Sequence, residues 1–149
     1  LYEDGTSFCF SCRKWFPKES GEDYREVKQK EDTNTYNMKI SEIESYQTRG
    51  FRDRGITKSV ATHFGVRCSY NEDGEIDAHY YPYNHGKAYK IRKLPKRFQW
   101  VGSSENTLFG QDTFAGGGKK LIITEGEIDA LTVAQAHWEK YGKIFPVVS

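Results

Sequence analysis

The tightest constraint on the fold lies towards the carboxyl end of the sequence. Residues 120–124, Lys-Leu-Ile-Ile-Thr, form a compact apolar run after Gly116-Gly117-Gly118, and residues 144–148 are apolar again. Between them Ile128, Leu131, Ala134, Trp138 and Tyr141 recur every three or four positions, the spacing of one helical face. Gly142 then offers the left-handed residue that ends a helix. Two apolar strands joined through a helix pair in parallel by a crossover, which predicts an α/β layer with residues 120–124 as a buried strand.

Upstream the pattern changes. Residues 41–49 and 57–64 predict short helices, with Thr57 as N-cap and Gly65 as the left-handed terminator. Strand-like runs at 66–70, 75–83 and 88–93 are separated by Asn71-Glu72-Asp73-Gly74 and Asn84-His85-Gly86, which predicts an antiparallel meander. Residues 18–35 carry ten charges and only Tyr24 and Val27 as large apolar groups, so they read as a linker. The expected organisation is a small module at 1–17, the linker at 18–35, and a mixed α+β and α/β domain at 36–149.

Charge and cysteine usage narrow the class. The 149 residues are 36% hydrophobic and 29% charged, and no apolar run reaches the length of a membrane helix. The start lacks both a Met and the basic and apolar regions of a signal peptide, and the end resembles the middle of a strand. We therefore expect a piece of a longer chain. Three cysteines do not make a disulfide framework, so a reducing, intracellular setting is expected. Net charge is only +1, yet Ala78 to Ser104 contains no acid and holds Lys87, Lys90, Arg92, Lys93, Lys96 and Arg97.

Three constellations can carry chemistry. Cys9-x-x-Cys12 has the spacing of two zinc thiolates, and equally of a redox pair or two buried thiols. The flanking Phe8, Phe10, Trp15 and Phe16 read as a small core rather than a stacking surface. At 88–93, period-two alternation places Tyr89 and Ile91 on one face and Lys90 and Arg92 on the other, a cation pair suited to phosphate or to a solvated surface. Glu125-Gly126-Glu127-x-Asp129 follows the strand at 120–124, where open α/β sheets bind ligands. Glu125 and Asp129 are candidates for Mg²⁺, while Glu127 and Asp129, in a first helical turn, are also favoured simply by the helix dipole.

Thr124-Glu125-Gly126-Glu127-Ile128-Asp129 resembles the first motif of the Toprim domain shared by primases, topoisomerases and some nucleases. Its surroundings are similar to the primase–helicases of T-seven-like podophages. The similar segments are Asp4-Gly5-x-x-Phe8-Cys9-x-x-Cys12-x-x-Trp15, Thr48-Arg49-Gly50, Leu108-Phe109-Gly110, Gly117-Gly118-Lys119-Lys120, Ala130-Leu131-Thr132-Val133 and Pro146-Val147-Val148-Ser149. The resemblance implies a partial zinc ribbon, a linker, and a Toprim-type domain cut within its α/β part. It implies that the parent protein makes short RNA primers on single-stranded DNA from ribonucleoside triphosphates, using structural Zn²⁺ and Mg²⁺. Cys9 and Cys12 match the second half of a four-cysteine site, and Glu125 matches the general acid–base glutamate. Lys90 and Lys96, with Arg92 beside them, match basic nucleotide- and template-binding positions. A helicase domain in the same chain, a DNA polymerase partner and the infected host's cytoplasm follow from the same family.

The chain departs from the pattern in lacking the first cysteine pair, in carrying Thr6 where the phage prototype has histidine, and in lacking the Asp-x-Asp motif and any Walker motif. Two rival readings are a Toprim nuclease and a primase-like segment that grips single strands without priming.

Overall fold

The structure is a computed structural model that describes residues 38–103 and 106–149, and the backbone of strands β1 (Ser7–Cys9) and β2 (Lys14–Phe16). The chain divides into two units, Leu1–Tyr36 and Asn37–Ser149. In the first, β1 and β2 pair antiparallel with Cys9 opposite Lys14. Cys12, the side chain of Cys9 and the stretch at 18–35 lie outside the described residues.

The second unit begins with α1 (Ile40–Ser45), whose Ile43 is fully buried. The helix is shorter than the 41–49 predicted. Beyond Ser45 the carbonyl of Tyr46 accepts from Arg67 Nη1 at 2.6 Å and that of Gln47 accepts from the Cys68 amide at 3.2 Å. Those carbonyls therefore bond a neighbouring strand rather than a further helical turn. α2 (Lys58–His63) starts after Thr57 as predicted, and Gly65 follows it with φ +67°. The Thr57 hydroxyl does not cap the helix; it donates to Gln135 Oε1 at 3.0 Å.

Strands β3 (Arg67–Tyr70), β4 (Ile76–Tyr83), β5 (Ala88–Lys93) and β6 (Arg97–Gly102) form the antiparallel meander in sequence order. The last of these was not anticipated. The sheet is apolar on both faces, as the period of two requires. Ala78, Tyr80, Tyr89 and Ile91 pack with Ile43. Cys68, Tyr81, Tyr83 and Ala88 join a larger core with Phe51, Val60, Phe64, Phe109, Leu131 and Val147.

The crossover is present: β7 (Ile122–Ile123), α3 (Glu127–Tyr141) and β8 (Val147–Val148), with Ile122 opposite Val147 and Ile123 opposite Val148 in parallel. Two details differ from expectation. α3 buries Glu127, Ala130, Leu131, Ala134 and Gln135, whereas Trp138 and Tyr141 of the predicted stripe are 41% and 52% exposed. The docked face contains two polar residues that hydropathy leaves out. Strand β7 was expected to be buried, but Ile123 is 69% exposed while Val147 and Val148 are buried, so only β8 faces the core. Phe109, fully buried, is tied to β8 by reciprocal backbone bonds, its amide to the Ser149 carbonyl at 2.8 Å and the Ser149 amide to its own carbonyl at 3.3 Å. Among the described residues no helix is long and apolar enough to cross a membrane.

Candidate functional site

Strand β7 ends at Ile123, so Thr124 and Glu125 emerge at its carboxyl end and Gly126 stands at the N-cap of α3. Glu125 and Asp129 are both exposed. Between them Glu127, only 6% exposed, turns inward against the meander. Its Oε1 accepts a hydrogen bond from Lys90 Nζ at 2.6 Å and another from the Tyr83 hydroxyl at 2.6 Å. Burial pushes this carboxyl upward, but the bonds from Lys90 and Tyr83 outweigh it and hold the group below the usual carboxylate range. Tyr83 moves the other way: burial and the adjacent carboxylate both push its phenol up. The residue that the sequence reading set aside as a helix-terminus charge is the hub of the site.

Lys90 and Arg92 share one face of β5, with Tyr89 and Ile91 buried on the other, in line with the alternation. In register with them across β6 stand Trp100 opposite Lys90 and Phe98 opposite Arg92. Directly paired residues point to the same side of a sheet, so Phe98 and Trp100 flank the cations, and both are about half exposed, at 51% and 46%. Lys90 Nζ lies 5.3 Å from the Phe98 ring centroid, and Trp100 meets Tyr83 edge-on at 4.8 Å. Sequence reasoning missed these two aromatics because it did not foresee β6. The alternation Phe98-Gln99-Trp100-Val101 was the signal available.

Arg92 Nε and the Tyr81 hydroxyl are buried on this face with no hydrogen-bond partner among the described residues, as are both ring nitrogens of His79. His79 is opposite Arg92 in the register. Burial first, and then the Arg92 charge, drive its pKa down to about 4. Lys96 stands apart from this cluster, exposed in the turn between β5 and β6.

Glu125 and Asp129 are oxygen donors of the kind Mg²⁺ takes, one or two carboxylates alongside water and phosphate. Among the described residues no three His, Cys, Asp or Glu side chains gather into a metal-holding group. Cys9 and Cys12 as zinc ligands fall outside the described side chains.

No protein-family profile matches the chain. It is 30% identical over 161 residues to the DNA helicase/primase of Enterobacteria phage T3, covering all of this chain and 27% of that protein. It superposes on the crystal structure of the primase fragment of the bacteriophage T7 primase-helicase protein with a TM-score of 0.62 and 31% identity, covering all of this chain and 60% of that one. A second match is to a structure of bacteriophage T7 lagging-strand DNA polymerase interacting with primase domains bound to an RNA/DNA hybrid and dTTP. There the TM-score is 0.57 and the identity 30%, over 76% of this chain and 56% of that one. The fold is thus the Toprim-type mixed α/β fold of the phage primase fragment, and the chain spans about a quarter of the curated relative.

Proposed function

We propose that this chain, a whole-length homologue of part of the phage DNA primase–helicases, belongs to a protein that synthesises short RNA primers on single-stranded DNA during phage DNA replication. The observation that carries the proposal is the junction of β7 and α3. Glu125 leaves the carboxyl end of β7, and two residues later Glu127 is bonded to Lys90 of the meander. A carboxylate able to move a proton therefore stands on the same framework as the cations able to hold phosphate.

Joining two ribonucleotides requires a 3′-hydroxyl to attack an α-phosphorus while pyrophosphate leaves. Such transfer depends on alignment and charge neutralisation more than on covalent help. In our reading Glu125 handles the hydroxyl proton, while Lys90, Arg92 and Lys96 hold triphosphate or template. Glu125 and Asp129, with further acids of the parent protein, would hold Mg²⁺, which would supply charge neutralisation for the transfer. Cys9 and Cys12 contribute half of a structural zinc site in the module at 1–17, which the stretch at 18–35 links to the domain at 36–149. Single-stranded DNA, ribonucleoside triphosphates, a helicase domain in the same parent and a DNA polymerase are the partners of this reading, and the infected host's cytoplasm is its setting.

Incorporation of labelled ribonucleotide on a single-stranded template tests it. The parent protein should prime, the 149-residue piece should not, and Glu125→Gln in the parent should abolish synthesis while circular dichroism stays unchanged. A folded E125Q parent that primes at the wild-type rate refutes the role given to Glu125.

A further inference from the structure

We infer that Phe98 and Trp100 form a base-stacking platform on β6, so that the site binds a nucleotide with its base on these rings and its phosphate at Arg92. The inference deepens the primase reading and rests on it. Four observations converge. Two large aromatics, half exposed, alternate on one face of a strand at the edge of its sheet. Their cross-strand neighbours are cations, and the stretch from Ala78 to Ser104 contains no acid to repel an anion. Lys90 is shared with Glu127, whereas the buried Nε of Arg92 has no partner among the described residues. Finally, Trp100 is braced by Tyr83 at 4.8 Å, so its ring is held in place before any ligand arrives.

The chemistry selects the occupant. Any base offers a π-face to an exposed ring, which makes stacking tolerant of sequence. A guanidinium beside the rings then supplies the bidentate fork that phosphate oxygens accept. An apolar peptide would satisfy the aromatics but offer no acceptor to the Arg92 guanidinium. The nucleotide has two sources, a base of the template strand or the incoming ribonucleotide, and both present the same ring and phosphate.

The test measures binding in the full-length protein with two probes, a fluorescein-labelled oligothymidylate and a fluorescent N-methylanthraniloyl ATP. Trp100→Leu should weaken binding of at least one probe by about tenfold, and Trp100→Phe should stay within about twofold of wild type. Loss for the oligonucleotide alone identifies a template base, loss for the nucleotide alone identifies the incoming one, and loss for both assigns the platform to each in turn. Arg92→Ala should flatten the log–log salt dependence of single-strand binding by about 0.7, while Trp100→Leu leaves that slope unchanged. If Trp100→Leu proves unfolded, Phe98→Leu takes its place with the same expectation. Wild-type affinity of the leucine variant for both probes overturns the platform, and so does an equal loss in Trp100→Phe. Because binding is read without synthesis, a protein that never primes but shows the leucine loss refutes the primase reading alone.

Discussion

At Glu127 one carboxylate oxygen accepts two bonds, from a lysine and from a tyrosine, in a place that water scarcely reaches. Glu127→Gln keeps the shape and removes the charge, and should lower unfolding free energy by about 2 kcal/mol as measured with denaturant. The pH dependence follows from the direction of the shift. The folded pKa lies below the ordinary 4.5, so the contribution is complete above that value and fades as pH falls through it towards the folded pKa. The gap between wild type and E127Q should therefore narrow below pH 4.5, and one that stays constant well into the acid range rules the pairing out. On the other face of β5, Tyr89 is 4% exposed, and Tyr89→Ala should cost about 3 kcal/mol without changing single-strand salt dependence. Period two made the faces of Tyr89, Lys90, Ile91 and Arg92 legible in the sequence. It could not reveal Glu127, because an acid in a first helical turn already has a local explanation and its lysine lies 37 positions away.

Among the elements, the bounds of α3 and β5 were legible to the residue, α3 from its apolar spacing and Gly142 and β5 from its alternation, although the spacing misplaced part of the face that α3 docks. The strand β6 was not, because its run from Arg97 to Gly102 opens among Lys-Leu-Pro-Lys and looks like a basic loop. What closes β6 is a glycine. Gly102 has φ +81°, and a Cβ there would lie 2.2 Å from the Lys87 carbonyl oxygen, so Gly102→Ala must part the end of β6 from the start of β5. Gly55 has a similar φ of +64° but open space around it. Thermal melts should separate the two cases. Gly55→Ala should lose about 1 kcal/mol from backbone conformation alone, and Gly102→Ala about 3 kcal/mol or more, with the clash added. Equal losses would show that the close approach to Lys87 costs nothing.

Over the whole molecule, apolar surface is unevenly covered. Leu121, just before β7, and Ile123 within it are 55% and 69% exposed, a pattern invisible to hydropathy, which sees an apolar run and cannot tell which neighbours it has. Uncovered strand edges invite pairing between chains. The 149-residue chain should sediment as associating species at rising concentration, and Ile123→Lys should return it towards a monomer; unchanged association would place the contact elsewhere. The reciprocal bonds between Phe109 and Ser149 have a further consequence for how force travels. The Phe109 ring stacks on Phe64 at 5.4 Å and touches Tyr81 and Tyr83 at 5.6 and 6.0 Å, while its backbone is locked to the strand that ends at Val148. A pull on the polypeptide at Ser149 is thus delivered to the aromatic cluster beneath the face that carries Lys90 and Arg92. In native-state hydrogen exchange the amides of Phe109 and Ser149 should open together, with a single free energy. Strain on that strand then reaches Tyr83, the tyrosine that steadies Glu127.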